Sequence, residues 1–217
     1  YVSDGLSLST AGLAVEAGIY DEAQFRALYP VPSALLPTYR FLLKEGLMAP
    51  PFEEFHDVGK NIGSVFSVLP AASCLGSTDL IHRIAVHGDG KQDLFAAGWG
   101  YYPAGKKTFR RVLAATPEGI IVGIGVSGIH RPEIVAAHPQ VLTANTGWRL
   151  YAVSGSLANP LQVYGIVPGT HEACLLPGTQ KAPAILVPPV LPPILSISDT
   201  LGGYIEGLNG AAIASLN

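Results

Sequence analysis

From about Ser64 the chain becomes a series of short β-branched or aromatic runs broken by turn residues, and this rhythm constrains the fold more than any other feature. The runs are Ser64–Leu69, Leu80–His87, Leu94–Tyr101, Phe109–Thr116, Ile120–Ser127, Trp148–Val153, Leu161–Val167 and Glu172–Leu176. Between them stand His87-Gly-Asp-Gly90, Pro103-Ala-Gly105, Pro117-Glu-Gly119, Ala158-Asn-Pro160 and Pro168-Gly169, residues that favour tight turns. Runs of this length and spacing argue for a mainly β fold, and the expected architecture is an antiparallel β-sandwich resembling a jelly roll. One helical turn is predicted at Pro132–Ala137, with Pro132 at the first helical position. Residues 141–146 then read as a loop.

Composition removes the competing classes. Charged residues make up 13% of the chain, against roughly 25% in an average domain. A coiled coil needs far more Glu and Lys, and far less of the Gly (25) and Pro (18) present here. Disorder driven by charge does not fit a chain that is 48% apolar with a net charge of −3. Thirteen basic residues against sixteen acidic ones leave no basic excess for nucleic acid. No apolar run is long enough to span a bilayer as a helix. Ala184–Leu195 comes nearest, but Pro188, Pro189, Pro192 and Pro193 interrupt it. Residues 1–20 show no signal-peptide pattern, and a chain opening on Tyr1 is expected to be a processed product or an excised piece.

Residues 1–60 read as a helical N-terminal segment packed on the β domain. Asp21-Glu-Ala-Gln24 has capping-box form and predicts a helix that stops near Tyr29-Pro30. A second helix is predicted from Pro32 or Ser33 to Glu45, where Leu35, Leu36, Tyr39, Leu42 and Leu43 recur at helical spacing. Gly46 sits where a left-handed cap belongs. Residues 61–176 form the expected sandwich domain. Residues 177–217 read as a proline-rich strap and a strand-like tail, with six of the eighteen prolines between Pro177 and Pro193. Leu201-Gly-Gly-Tyr-Ile-Glu206 loosely echoes Leu75-Gly-Ser-Thr-Asp79. Such a partial repeat suggests self-association through a strand edge; chance similarity in a Gly-rich chain is the alternative.

Candidate binding chemistry centres on aromatics and one arginine. Trp99 and Trp148 each follow a glycine, and Tyr101 and Tyr102 lie close to the first. Flat aromatics on a sheet stack on sugar rings, while neighbouring polar side chains bond the hydroxyls. The competing reading makes both tryptophans core residues. Because Tyr101 and Tyr102 alternate, at most one shares a face with Trp99. Arg131 is a candidate for holding a carboxylate or phosphate, or for tying two loops together, and Glu133 favours the positive end of the helical turn. The six histidines show no metal-binding pattern, and His87-Gly-Asp89 reads as well as a hairpin turn. No cofactor or metal is expected. Ser127 lacks the second spacer of a GxSxG nucleophile motif, and Gly123-Ile-Gly125 falls mid-strand and is no phosphate loop. A glycosidase-type hydrolase would require carboxylates among Asp79, Asp89, Asp93, Glu118, Glu133 and Glu172 to converge.

Cys74 and Cys174 are the only cysteines. They are either two buried thiols or the ends of a cross-linked loop of about a hundred residues.

The stretch Gly98-Trp-Gly-Tyr-Tyr-Pro-Ala-Gly-Lys-Lys107, followed by Arg110-Arg-Val-Leu113, Gly119-Ile-Ile-Val-Gly123 and Gly128-Ile-His-Arg-Pro-Glu133, resembles a known type of domain. It is similar to the extracytoplasmic C-terminal domain of bacterial polytopic membrane proteins related to cell-envelope glycosyltransferases. Cys74-Leu-Gly-Ser-Thr-Asp79, Cys174, Leu28-Tyr-Pro30 and Arg40-Phe-Leu42 extend the likeness over roughly residues 20–176. The resemblance implies a periplasmic domain tethered to a membrane, a Cys74–Cys174 disulfide, and an adjoining transmembrane region. It supplies no catalytic residues. The expected function is a non-catalytic accessory module that binds carbohydrate or presents an envelope glycan, with Trp99, Tyr101, Tyr102, Arg131 and Trp148 as ligand-binding residues. A structural or protein-interaction domain without ligand is the alternative, and a glycoside hydrolase the third.

Overall fold

The computed structural model describes residues 2–47, 53–86, 91–154 and 161–177. Among these residues five α-helices and eight strands run in the order α1 (Val2–Ala17), α2 (Glu22–Leu28), α3 (Pro32–Lys44), α4 (Ile62–Val65), β1 (Ser67–Leu69), β2 (Leu75–Val86), β3 (Gln92–Tyr101), β4 (Arg111–Ala115), β5 (Ile121–Ile129), α5 (Pro132–Ala137), β6 (Gly147–Ser154), β7 (Gln162–Ile166) and β8 (Glu172–Leu175). Every predicted run overlaps one strand, though β2 starts five residues earlier than expected, at Leu75, and β5 runs two residues further, to Ile129. The first is cut short because the Asn61 side chain accepts from the Gly63 amide and starts the helical turn α4, which leaves only Ser67–Leu69 extended. The proline turns close as expected: Gly119 donates to Thr116 and Thr170 to Val167, with Gly119 and Gly169 at positive φ.

The strands form one sheet, not two. Its order is β1-β8-β7-β4-β5-β6-β3-β2, all antiparallel except the β1–β8 pair, which is parallel. The expected mainly β fold is present as a single mixed sheet, and the disulfide brings its β8 side to the start of β2. Following the cross-strand registers from Cys174 through Gly165, Val112, Gly125, Leu150 and Ala96 leads to Ile81. The disulfide, however, joins Cys174 to Cys74, seven residues before Ile81. Such an offset is what tilted strands produce when a sheet rolls towards a barrel.

Side chains from opposite ends of the sheet fill the enclosed space. Leu176, just past β8, reaches the backbone of Gly76 in β2 and Gly100 in β3, and the Phe109 ring lies flat on Gly165 while touching Gly100. Cys74, Leu94, Phe109, Val112, Trp148, Leu150, Val163 and Cys174 belong to this inner core. Glycines make the curl possible. A Cβ on Gly123 or Gly125 would strike the backbone and side chains of β6.

The outer face is buried under the N-terminal helices. Leu13, Ile19, Phe25, Leu36 and Tyr39 pack there against Phe95, Leu113, Ile124 and Tyr151 of the sheet. Asp21 caps α2 by accepting from the Gln24 amide, and its second oxygen accepts from the Tyr151 hydroxyl at 2.8 Å, so one carboxylate both starts a helix and fastens it to β6. Burial, followed by the nearby Asp21 charge, pushes the Tyr151 hydroxyl pKa far up. Gly46, at φ 67°, ends α3 with Leu47 donating to Leu42 and Gly46 to Leu43, the Schellman pattern.

Both sheet edges are short or irregular. β1 has three residues. β2 carries irregularities between Thr78 and Leu80 and between Arg83 and Ala85, and Arg83 lies opposite Leu94 on the inward face. Short edges, bulges and inward charges are the usual obstacles to edge-to-edge association. The 87–90 turn, the Ala158-Asn-Pro160 turn, residues 178–217 of the expected strap and the Leu201–Glu206 repeat lie outside the described residues. No described helix is long and apolar enough to cross a membrane.

Candidate functional site

The connection between β5 and β6, residues 130–146, brings together most of the polar chemistry found at one place. Pro132 starts α5 with its ring fixing φ, and Arg131 precedes it as the cap residue. The Arg131 amide donates to the Ala144 carbonyl, which ties the two ends of the lobe. Its guanidinium reaches two carboxylates: Nη1 donates to Asp79 at 3.0 Å, and Nε donates to Glu133. Asp79 is available because it sits at the first irregularity of β2, outside the regular ladder with β3. Burial opposes the charge of Arg131, but its hydrogen bonds to Glu133 and Asp79 outweigh this and raise its pKa. The Arg131 hydrogen bond, with help from the Glu133 backbone, holds the exposed Glu133 carboxyl below its ordinary value. His130 bonds Asn145 at 3.2 Å on the outside of the same lobe. Arg131 thus neither waits for an external anion nor bridges loops through carbonyls alone. Its charge is met by two carboxylates of the chain.

Beneath the lobe lies a small separate core of Trp99, Tyr101, Ile134 and Val141. Trp99 is 7% exposed and its ring stands 4.7 Å from that of His138, tilted by 35°. Tyr101 is fully buried on the same face of β3, and its hydroxyl has no hydrogen-bond partner among the described residues. Tyr102 is half-buried and paired with Lys107 across the Pro103 turn.

Trp148 is 1% exposed and faces the other way, into the inner core. It is not an exposed ring for a ligand to stack on. The reason is visible in the register. The dipeptides Gly98-Trp99 and Gly147-Trp148 pair antiparallel, so each tryptophan lies opposite the other's glycine. Neighbouring residues of a strand face opposite ways, which sends one indole inward and one outward. A Cβ on Gly98 would collide with the Trp148 ring.

Of the five candidate residues, Trp99, Tyr101 and Arg131 therefore converge at the lobe, while Trp148 and Tyr102 do not join them. Asp79 as the partner of Arg131 and His138 as the partner of Trp99 were not anticipated. No local motif marks either, since each contact spans many residues of chain. Ser127 lies in β5 opposite Trp148, with its hydroxyl buried and without a hydrogen-bond partner. No histidine or carboxylate is positioned beside it as a base in any described hydrogen bond. Among the described residues no group of three or more His, Cys, Asp or Glu side chains is arranged to hold a metal ion. Asp79 and Glu133 are the candidate carboxylates that come together, and the arginine lies between them. Comparison with protein-family models, curated proteins and solved structures returned no match for this chain.

Proposed function

We propose that this chain is a non-catalytic domain that works through contact with another protein surface, and that it does so outside the cytoplasm. The observation that carries the reading is where large apolar side chains remain exposed. Leu8, Val58, Val68, Leu80, Ile120 and Leu142 are exposed at scattered positions, while Tyr29, Val31, Phe41 and Leu47 fall together within residues 29–47 and both tryptophans are withdrawn from the surface. Phe41 lies on the side of α3 opposite the buried Leu36 and Tyr39, one turn before Lys44, and is 56% exposed. Exposed apolar groups rimmed by charge are what contact surfaces present. The Cys74–Cys174 disulfide supports an oxidising compartment. The resemblance to membrane-tethered envelope domains supports an adjoining region of the same protein as the partner.

A photo-cross-linking amino acid at position 41, in the protein expressed in cells, tests the reading. A discrete adduct is expected at Phe41 and not at the exposed Lys106, and Leu47→Glu should weaken it without lowering thermal stability. Equal labelling at both positions would refute it.

A second reading, carbohydrate binding, is favoured by one observation. Trp99 and Tyr101 share one face of β3 about 7 Å apart, as residues i and i+2 of a strand do, and the Tyr101 hydroxyl there has no internal partner.

A further inference from the structure

We propose that residues 130–145 form a lid over a sugar site made by Trp99 and Tyr101, with Thr146, whose carbonyl accepts from the Gly100 amide of β3, at the fixed end of the lid, an inference that rests on the carbohydrate reading. Three features of the lobe carry it.

First, the lobe is lightly held. α5 packs extensively on no other described helix or strand. Its side-chain attachments are Ile134, Val135 and Val141, the His138–Trp99 ring contact and the Arg131–Asp79 ion pair, whose partners are 29% and 37% exposed, with one backbone bond from Gly100 to Thr146 at its end. Exposed ion pairs contribute little to stability.

Second, what the lobe covers is not a satisfied core. The Tyr101 hydroxyl and the Thr146 hydroxyl are both buried with no hydrogen-bond partner among the described residues. The Thr146 backbone meets β3 at Gly100, between the two aromatics. A polar atom buried in this way destabilises the closed arrangement. Opening the lobe releases both hydroxyls to solvent or to a ligand.

Third, the covered surface has sugar-binding chemistry. A pyranose offers an apolar face to an indole and hydroxyls at its rim, and here the rim partners are a tyrosine and a threonine hydroxyl, each able to donate and accept. His138 occupies the place above the Trp99 ring that a sugar face would take, so the closed lobe and a bound sugar exclude one another. Sugar affinity then scales with the fraction of molecules whose lobe is open.

The test has two arms. Oxidation by N-bromosuccinimide, followed by peptide mass spectrometry, reads lid opening without any ligand. Trp99 should react well before Trp148, whose exposure requires the barrel to come apart. Titration with chitotetraose, xylotetraose and cellotetraose reads the site. Asp79→Ala, or Asp79→Asn as the more conservative variant, should bind one of these sugars about two- to fivefold more tightly than the wild type, the gain expected on losing one exposed ion pair. Trp99→Phe should weaken that binding. Equal reactivity of the two tryptophans overturns the lid. Early Trp99 oxidation with no sugar bound by either Asp79 variant overturns the carbohydrate reading, and the proposal with it. Binding that is indifferent to Asp79 overturns the coupling between the two.

Discussion

Replacing both cysteines, Cys74→Ala with Cys174→Ala, should remove the largest single constraint on this chain. The sequence separation is 100, for which loop entropy gives about 4–5 kcal/mol of stabilisation through the unfolded state. Both sulfurs are buried, and the two small voids left by alanine add about 1 kcal/mol each. A domain of ordinary stability has about 5–15 kcal/mol in all, so the variant should lose a third of it or more. The loss has a location as well as a size. The disulfide closes the seam between β2 and β8, where Leu176 contacts Gly76 and Gly100. Guanidinium unfolding followed by tryptophan fluorescence measures the midpoint and the slope m. The midpoint should fall, and m should rise because the uncross-linked denatured chain exposes more surface. Reduction of the wild type should reproduce the result. A loss below about 1 kcal/mol with unchanged m would refute the reasoning, because packing alone would then hold the seam and the cross-link would not restrict the denatured ensemble.

Other substitutions test the packing and the charges. Gly165→Ala should cost at least the ~1–3 kcal/mol of ordinary overpacking, because its Cβ falls within the Phe109 ring; Phe109→Leu in the same chain should recover part of this, and simple additivity in a double-mutant cycle would count against it. Asp21→Ala loses the α2 cap, about 0.5–2 kcal/mol, and strands the Tyr151 hydroxyl for a further ~1–3 kcal/mol. Adding Tyr151→Phe should restore the second part in chemical denaturation. Burial lowers the His82 pKa below 6.5, with Asp21 acting in the opposite sense. The unfolded state therefore takes up the proton first as pH falls. The stability tied to neutral His82 is present above pH 6.5 and declines below it, a slope that His82→Phe should flatten between pH 7.5 and 5.

How much of this was legible in the chain depends on the range of the interaction involved. The caps at Asp21, Pro132 and Gly46 were readable because each works within a few residues of itself. The eight strands were readable for a similar reason: β-branched runs between Gly and Pro turns leave little else for the backbone to do. α1 gave no periodic signal because residues 10–15 are enclosed on nearly all sides, between the sheet, α2 and α3, and a helix without a wet face has no polar stripe. The candidate site divided in the same way. Aromatics next to glycine were visible as unusual, but which side of the sheet each faces is a matter of register with a strand some fifty residues away.

The sequence by itself determined the local conformations, the β class and the low, nearly balanced charge. Only the tertiary structure decided the order in which eight strands pair into one mixed sheet. Only it decided that Trp148 faces in while Trp99 faces out, and that Arg131 is matched by Asp79. The physical reason is that a strand's own residues set its alternation but not its neighbour. Pairing order, shear and the choice of face follow from burying every apolar surface at once, a condition that no single segment can express.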